Sequence, residues 1–284
     1  MKVCAGIILY NPDIGRLIQC VNAVRYQTDQ IIFVDNASSN INDIINELDD
    51  ESFVWIKNEA NMGIATALNQ LINHANNNGY EWILTLDQDS ICEDGMIQKQ
   101  LAAAEDEKTA MVSPVIVDRG IIESDRLKDE LLPEIENIKM CITSGCLTNV
   151  KAIIETGGFN EWLFVYEVDR EICIRLLRKG YRLLRVNTVK LYHEHGLKTV
   201  NRRILWKKVT YRNYTPTGVY YQTRNLVYML RKYDAERASN PLRRWIRLYL
   251  AFFVKLICEP ERSIRLKAFI KGIREGFAAS IEKE

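Results

Sequence analysis

Short apolar runs that alternate with helical segments constrain the fold of this chain more than any other feature. Four runs of mostly apolar residues lie at 3–9, 31–34, 53–56 and 82–86, and segments with helical spacing separate them at 17–26, 41–48 and 64–75. Runs of this length are typical of strands buried on both faces of a sheet. Their alternation with helices favours right-handed crossovers between parallel strands. We therefore predict an α/β fold of the doubly wound type with a mostly parallel sheet.

The pattern becomes less regular after residue 110. A further strand is predicted at 111–117, and the polar, charged stretch at 118–138 is predicted to be rich in loops. The elements predicted beyond it are an ordered segment at 141–149, a short helix at 150–155, a helix at 167–179 and a strand at 182–189.

Charge is distributed unevenly, although the formal net charge of the 284 residues is only +1. Residues 1–200 carry 19 Lys and Arg against 30 Asp and Glu, whereas residues 201–284 carry 19 against 7. We therefore predict a main domain at 1–200 and a basic, helical C-terminal extension at 201–284. A basic surface of this kind indicates an anionic partner, such as a membrane, a nucleic acid or a phosphorylated substrate.

The seven cysteines are scattered, and the sequence has neither a CxxC pair nor a Cys/His cluster with zinc spacing. They are predicted to be buried free thiols in a reducing compartment. The apolar stretch at 3–9 is too short for the apolar region of a signal peptide, and no run reaches the ~18 apolar residues of a membrane-spanning helix. These features predict a cytoplasmic protein.

Two carboxylates one residue apart follow the apolar run at 82–86, in the segment Asp87-Gln88-Asp89. The carboxyl ends of strands in an open α/β sheet border the crevice in which ligands bind. Carboxylates held close together repel unless they share a proton or a cation lies between them. Mg²⁺ and Mn²⁺ prefer carboxylate and phosphate oxygens, so Asp87 and Asp89 are predicted to hold a divalent metal. The alternative is an ordinary surface turn, in which Asp-x-Asp is common.

Two further segments indicate contacts with a nucleotide. Asp35 ends the second apolar run, where a carboxylate can accept a hydrogen bond from a ribose hydroxyl or a base N–H. Its alternative role is to cap the helix that follows. After Asn61, the small Gly63 would let a helix amino terminus, which favours anions, approach a nucleotide closely. Tight packing of that helix on the sheet would explain the glycine equally well.

Asp169 and Glu171 fall at the start of a predicted helix, where residues two apart point in different directions and therefore have different roles. One carboxylate can face a cleft as a general base, while the other can stabilise the helix terminus. Capping alone is the alternative for both. His193, which follows a predicted strand, is the candidate for a further metal ligand, and a surface histidine is the common alternative.

In this order along the chain, these segments resemble the family 2 glycosyltransferases of the GT-A fold over about residues 3–197, and most of all the bacterial rhamnosyltransferases. Residues 163–171, Leu-Phe-Val-Tyr-Glu-Val-Asp-Arg-Glu, are similar to their Phe-Ile-Asp-x-Val-Asp-x-Glu pattern. Residues 220–225, Tyr-Tyr-Gln-Thr-Arg-Asn, are similar to their Tyr-Tyr-x-x-Arg-Asn pattern. Tyr166 departs from the first pattern, because these enzymes often carry Asp there, and it bears on the identity of the sugar.

The resemblance implies an inverting, metal-dependent transfer of one sugar, rhamnose from dTDP-rhamnose, to a glycan or lipid-linked acceptor in bacterial surface polysaccharide synthesis. Residues 1–200 would then be the GT-A domain that binds the nucleotide sugar and carries the catalytic groups. The Gln-x-x-Arg-Trp motif of processive synthases is absent from the sequence. Its absence favours the addition of a single sugar over polymerisation.

The resemblance also implies roles for individual residues. Asp169 would take the proton from the acceptor hydroxyl, and His193 would either add a metal ligand or contact the diphosphate. The metal, Mg²⁺ or Mn²⁺, would be held by Asp87, Asp89 and His193. The residues implied in donor binding are Asn11, Asp35, Asn61, Gly63 and Asp87.

The extension has basic residues among apolar ones at near-helical spacing between residues 243 and 277. Such helices can lie on an anionic bilayer, so peripheral binding at the inner face of the cell membrane is predicted. Packing on the main domain or on a second subunit, as in a homodimer, is the alternative, and no nucleic acid is expected as a partner.

Two other classes of function compete with this interpretation. A sugar-phosphate nucleotidyltransferase would need a Gly-rich, basic loop after the first strand, which residues 10–16 lack. A noncatalytic membrane or nucleic-acid adaptor would have no need for Asp87, Asp89 and Asp169.

Overall fold

The computed structural model of the chain describes residues 1–118, 132–193, 199–204, 207–212, 214–233, 250, 252 and 261–281. The chain divides into two compact units, of which the first comprises 1–164 and 168–194 and the second 165–167 and 195–284. His195, Cys258 and most of the residues in the predicted loop at 118–138 and in the tail at 241–260 lie outside the described residues.

The described part of the first unit is built on a nine-stranded sheet. Its strands are β1 (Val3–Leu9), β2 (Gln30–Asp35), β3 (Val54–Lys57), β4 (Trp82–Asp87), β5 (Ile91–Cys92), β6 (Thr109–Asp118), β7 (Ile135–Ile138), β8 (Cys146–Asn149) and β9 (Arg182–His193). Their order across the sheet is β3-β2-β1-β4-β8-β6-β9-β5, and β7 pairs with β9.

Helices connect these strands. They are α1 (Ile14–Val24), α2 (Ile41–Leu48), α3 (Gly63–Asn77), α4 (Met96–Ala103), α5 (Val150–Glu155) and α6 (Val168–Arg178), with a 3₁₀ turn at Glu161–Leu163. The first of them illustrates why the sequence folds this way locally. The Asp13 side chain accepts a hydrogen bond from the Arg16 amide and so caps α1, whose apolar face is fully buried.

The first half of the sheet is parallel, as the alternating pattern predicted. β1 lies between β2 and β4, and its register places Leu9 opposite Asp35 and Ile8 opposite Asp87. The carboxylates that end β2 and β4 therefore flank the carboxyl end of β1. This arrangement confirms the predicted α/β fold class, and it brings the carboxylates of Asp35 and Asp87 to the edge at which open α/β sheets bind ligands.

The second half of the sheet is mixed. β8 runs antiparallel to both β4 and β6, whereas β9 runs parallel to β6. β4, β6 and β9 therefore point the same way, and the carboxyl end of β9 lies at the same edge as that of β4. The beginning of β8 also lies at this edge, because β8 runs in the opposite direction.

Two strands and one α-helix of the first unit were not predicted. β7 lies in the stretch predicted to be rich in loops, where partly and fully exposed residues alternate along an antiparallel pairing with β9. β5 has only two residues, and α4 begins after Gly95, which has a φ of 70°. All three are too short or too polar to produce a strong periodic signal.

The second unit begins with a feature that the prediction of a helical extension missed. Strands β10 (Thr199–Ile204) and β11 (Lys207–Arg212) form an antiparallel pair. Helices α7 (Pro216–Tyr233) and α8 (Arg262–Ala278) follow. A Cβ atom on Gly272 would lie 2.7 Å from the Tyr220 carbonyl, so only glycine lets the two helices approach this closely.

Two predictions about compartment can be compared with these residues. Six of the seven cysteines are described, and all six are buried free thiols, as predicted. No helix in the described ranges is both long enough and apolar enough to cross a membrane.

Candidate functional site

Three aspartates meet at the carboxyl edge of the sheet. Asp87 ends β4, Asp89 lies in the turn that follows, and Asp169 lies in the first turn of α6. Desolvation, followed by the negative charges of Asp169 and Asp89, raises the pKa of Asp87 from 3.8 to about 7. The Asp87 side chain keeps 43% of its surface accessible. Solvent therefore weakens the contribution of desolvation to the raised pKa. The repulsion from the neighbouring carboxylates remains, and a bound cation would cancel it.

Asp169 is held toward this centre rather than folded back only on its own helix. Its Oδ1 accepts a hydrogen bond from the Thr143 amide at 3.1 Å. Thr143 is in turn tied to β4, because the Thr85 hydroxyl donates to its carbonyl at 2.6 Å. The segment before β8 thus connects the start of α6 to the strand that carries Asp87.

His193 ends β9 beside the two aspartates of the Asp-x-Asp segment. Its Nε2 lies 3.8 Å from Oδ2 of Asp87, and its Nδ1 lies 3.7 Å from Oδ1 of Asp89. Both separations exceed hydrogen-bond length. The strand order therefore brings together the three residues predicted to hold a metal.

Two buried serines at this edge, Ser90 and Ser144, were given no role of their own by the sequence interpretation. The Ser144 Oγ accepts from the Asp87 amide at 3.0 Å and lies 2.8 Å from the Ser90 Oγ. The Ser90 Oγ lies 3.0 Å from Nδ1 of His193. Hydroxyl groups are common in every kind of segment, so only the three-dimensional structure reveals this connection.

The predicted metal set is not a complete site in itself. Within the ranges that the structure describes, no group of three or more His, Cys, Asp and Glu side chains is arranged to hold a metal ion. Mg²⁺ commonly takes only one or two protein carboxylates and completes its shell with waters and substrate phosphates. The carboxylates of Asp87 and Asp89 fit an ion that a phosphate ligand helps to hold, and they do not fit a closed cage of protein ligands.

The predicted donor-binding residues gather around the end of β2. Asp35 is 2% exposed, and its two carboxylate oxygens accept from the Ser38 amide at 3.2 and 3.1 Å. Asn11 lies across this turn, with its amide donating to the Ser38 hydroxyl and its Oδ1 accepting from the Ser39 amide, both at 2.8 Å. Asp35 therefore closes the turn after β2 and does not cap α2, whose N-cap is Asn40, and a nucleotide contact stays a prediction.

Gly63 has a different physical role from the predicted one. The amide of Ile64, in the first turn of α3, donates to the Phe164 carbonyl at 2.6 Å, and a Cβ on Gly63 would lie 2.6 Å from that oxygen. The suggestion that this helix terminus receives an anion is wrong, because a carbonyl already occupies it. Asn61 accepts from the Gly63 amide at 2.9 Å, and the contact of either residue with the donor stays a prediction.

Two amide side chains, those of Gln88 and Asn36, connect these parts of the edge by accepting hydrogen bonds from the backbone. Gln88, between the two aspartates, accepts from the Tyr10 amide at 2.8 Å, next to Asn11. Asn36 is 2% exposed, and its Oδ1 accepts from the Met62 amide at 3.3 Å. Sequence reasoning missed both residues, although their positions directly after or between predicted site residues could have indicated them.

Glu171 belongs to the packing of the first unit. It is fully buried, and both carboxylate oxygens accept from the Arg175 guanidinium at 2.7 to 3.0 Å. Arg175 also donates to the carbonyls of Thr156 and Gly158, each at 2.6 Å. Of the two carboxylates at the start of α6, only Asp169 adds to the negative potential at Asp87.

Known proteins resemble the chain in sequence and in fold. The profile described as Glycosyl transferase family 2 matches residues 4–159. The chain is 26% identical over 246 residues to the dTDP-rhamnosyl transferase RfbF of Shigella flexneri, covering 81% of this chain and 80% of that protein.

Two solved structures share the fold. The crystal structure of GalNAc-T7 with UDP, GalNAc and Mn²⁺ aligns with a TM-score of 0.63 at 13% identity, covering 97% of this chain and 56% of that one. S. aureus TarS 1-349 in complex with UDP aligns with a TM-score of 0.51 at 12% identity, covering 99% of this chain and 73% of that one. At these identities the likeness shows the fold alone.

Proposed function

The chain belongs to glycosyl transferase family 2, and from this premise we propose that it transfers one sugar, with inversion, from a nucleoside diphosphate donor to an acceptor hydroxyl. One observation carries the proposal. The Thr143 amide donates to Asp169 and the Thr85 hydroxyl donates to the Thr143 carbonyl, so a third carboxylate is held at the edge of the sheet where β4 ends in Asp87. Such a transfer needs one group that accepts a proton and one centre that stabilises a departing diphosphate.

The proposed donor is dTDP-rhamnose. The similarity to the dTDP-rhamnosyl transferase RfbF of Shigella flexneri supports this choice, since it extends over 81% of the chain. Asn11, Asp35, Asn61 and Gly63 would bind the base and ribose, because they line the end of β2 beside the metal-binding aspartates. Asp87 would contact both the ribose and the metal.

The proposed cofactor is Mg²⁺ or Mn²⁺, held by Asp87 and Asp89 together with the donor's phosphates, and with His193 beside them. Bound there, the ion would stabilise the negative charge that develops on the departing diphosphate. Support comes from the repulsion that raises the pKa of Asp87 and from the UDP and Mn²⁺ in the GalNAc-T7 structure.

Asp169 is the proposed base. Its hydrogen bond from the Thr143 amide holds the carboxylate at this edge of the sheet. As the hydroxyl oxygen attacks the sugar carbon, its proton passes to Asp169 and the bond to the diphosphate breaks. The proposed acceptor is a glycan or a lipid-linked sugar in bacterial surface polysaccharide synthesis, and it receives one sugar at each encounter.

A thermal-unfolding assay tests the donor and the metal together. We expect dTDP to raise the melting temperature more with Mn²⁺ than without it, and dTDP-rhamnose to be hydrolysed slowly to dTDP and rhamnose. Asp89→Asn should remove the effect of Mn²⁺, because one charge of a hard-cation site is lost. Asp43→Asn, at an exposed first-turn carboxylate of α2, is the matched control. Equal stabilisation of the two variants by Mn²⁺ and dTDP would overturn the metal assignment.

We also propose that the protein binds the inner face of the cell membrane through α8. Leu266, Ile270 and Phe277 lie four and seven residues apart, hence on one side of the helix, and are 40, 56 and 50% exposed. Lys267 and Arg274 are exposed on the adjoining side. An apolar stripe bordered by basic residues fits the interface of an anionic bilayer.

Sedimentation with phosphatidylserine-containing liposomes tests this surface. The triple variant Leu266→Ser, Ile270→Ser and Phe277→Ser should lose most of its binding, whereas Tyr26→Ser, Ile154→Ser and Leu177→Ser remove exposed apolar groups from the first unit as a control. Equal binding by the two triple variants would overturn the proposal. A change from dimer to monomer on replacing the stripe, without any loss of liposome binding, would favour the homodimer instead.

A further inference from the structure

The turn at residues 143–145, which precedes β8, carries two of the contacts that assemble the candidate site. The Thr143 amide donates to Oδ1 of Asp169 at 3.1 Å, and the Ser144 Oγ accepts from the Asp87 amide at 3.0 Å. Thr143 and Ser144 are both buried, so water competes little for these hydrogen bonds. The side chains that fix this turn therefore also fix where the Asp169 carboxylate lies relative to β4.

Thr85 holds the turn from β4. Its hydroxyl donates to the Thr143 carbonyl at 2.6 Å, and its carbonyl accepts from the Gly145 amide at 2.8 Å. Thr85 is the only polar residue of β4 before Asp87, in the sequence Trp-Ile-Leu-Thr-Leu-Asp, and it is buried. A buried hydroxyl in an apolar strand is costly unless it is hydrogen bonded, and here its hydrogen bond goes to the turn.

Gln100 holds the same turn from α4. Its side chain is fully buried, and its Nε2 donates to the carbonyls of Gly145 at 2.9 Å and Val112 at 2.8 Å. The strands β6 and β8 pair with Val112 opposite Leu147. The same register, if continued, would place Gly145 opposite Pro114, which has no backbone N–H. Gln100 therefore supplies a donor to the turn where the pairing of the two strands ends.

The burial of the Gln100 amide is not explained by stability alone. Its Oε1 is also buried and has no hydrogen-bond partner within the described ranges. A buried acceptor without a partner destabilises a fold, so the two hydrogen bonds of Nε2 only partly offset the cost of burying this side chain. Natural proteins depart from the rule that buried polar atoms are satisfied mainly where a functional position has to be held.

We propose that Thr85 and Gln100 are positioning residues for Asp169 and act through the turn at 143–145. They hold the two ends of the turn, and the Thr143 amide transmits this constraint to the carboxylate. The purpose of the arrangement rests on the proposed function, in which Asp169 accepts the proton of the acceptor hydroxyl. Because a displacement of about 1 Å can lower a rate about 100-fold, such a base has to be fixed in place.

Hydrogen exchange of the Thr143 amide measures the constraint without the reaction, by nitrogen-15 NMR of the full chain labelled in its threonines. Thr143→Ser identifies the signal. Relative to the other labelled amides, Thr85→Val and Gln100→Met should each speed the exchange of Thr143 by about 3- to 10-fold, because each removes a hydrogen bond to the turn. Thr85→Ser keeps the hydroxyl and should keep the wild-type rate.

Thr109→Val is the matched control for Thr85→Val. It makes the same chemical change at a buried threonine whose hydroxyl has no hydrogen-bond partner in the part of the chain that the structure describes. The exchange of the Thr143 amide and the value of kcat should therefore stay unchanged in this variant.

Steady-state kinetics tests whether the constraint acts through Asp169. Thr85→Val and Gln100→Met should each lower kcat by about 10- to 100-fold, while the KM for dTDP-rhamnose changes little and Thr85→Ser stays near the wild type. In the Asp169→Asn background the same substitutions should have almost no further effect, because residues that act as a unit are not additive. If Asp169→Asn itself slows turnover, equal fold losses in both backgrounds would show a purely structural role and overturn the proposal.

The exchange measurement separates this inference from the proposed function. An unchanged exchange rate of the Thr143 amide in both Thr85→Val and Gln100→Met would overturn the inference, whatever the enzyme's activity. Faster exchange in these variants would support the placement of Asp169 even if Asp169→Asn kept near-normal turnover. That turnover would refute only the proposed role of Asp169 as the base.

Discussion

Replacing Asp87 by Asn should stabilise the metal-free protein at pH 8 while abolishing its response to a divalent cation. The pKa of Asp87 is raised to about 7, so between about pH 4 and pH 7 the folded protein binds more protons than the unfolded chain does. The free energy of unfolding contributed by this group is therefore highest near pH 4 and is lost as the pH rises toward 7. Asn carries no charge, so the free energy of unfolding of the variant does not fall in this way as the pH rises.

The magnitude follows from the size of the shift and from the exposure of the group. A shift of about three pKa units would correspond to roughly 4 kcal/mol at 1.36 kcal/mol per unit. The side chain is 43% exposed, and solvent screens its interactions with the neighbouring carboxylates. We therefore expect the free energy of unfolding of Asp87→Asn to exceed that of the wild type by about 1–2 kcal/mol at pH 8. This corresponds to a rise in melting temperature of roughly 2–6 °C for a chain of this size.

Thermal unfolding of wild type and variant at pH 5 and pH 8, with and without Mg²⁺, checks this reasoning. The difference in melting temperature between the variant and the wild type should be larger at pH 8 than at pH 5. Saturating Mg²⁺ should reduce or reverse this difference, because it stabilises only the wild type. Asp43→Asn, which removes an exposed carboxylate of α2, should show neither effect. A wild-type protein at least as stable as Asp87→Asn at pH 8 without metal would refute the repulsion argument.

Three further predictions concern single residues. Asp169→Asn should lower kcat by about 10²–10⁴-fold while the KM for the donor changes little, as steady-state kinetics can show, whereas a pure cap would tolerate Asn. Glu171→Ala should destabilise the fold by about 3–5 kcal/mol in urea unfolding, because the buried charge of Arg175 would lose its carboxylate partner; a loss below about 1 kcal/mol would contradict the buried pair. Gly63→Ala should cost about 1–3 kcal/mol, since its φ of 83° and the nearby Phe164 carbonyl both exclude a Cβ, and unchanged urea unfolding would contradict this.

The parts of the fold that the sequence predicted are those with strong local periodicity. The strands β1, β2 and β4 are six or seven residues long, and each has at most one polar residue before its last position. Because these strands are largely buried, their register has little freedom. β5 and β7 have two and four residues, and β7 is an exposed edge strand held by its pairing with β9. Such strands owe their conformation to a neighbour rather than to their own residues.

The site was predictable where its chemistry requires an uncommon residue pattern. The Asp-x-Asp segment and His193 could be assigned to one edge because both follow apolar runs. Glu171 and Asp169 could not be told apart, since both are acidic residues of a first helical turn and only the buried Arg175 distinguishes them. Gly63 was assigned for a physical reason that the Phe164 carbonyl excludes.

Two of the residues that sequence reasoning missed, Thr143 and Ser144, reach the site because of the direction of β8. In a fully parallel sheet, only the segments that follow strands reach the ligand-binding edge. β8 runs antiparallel to β4, with Cys146 opposite Thr85, so the residues that precede it reach that edge. This reversal brings Ser144 to the Asp87 amide and Thr143 to Asp169. Apolar periodicity is the same for a buried strand in either direction, so the sequence pattern cannot report the reversal that completes the site.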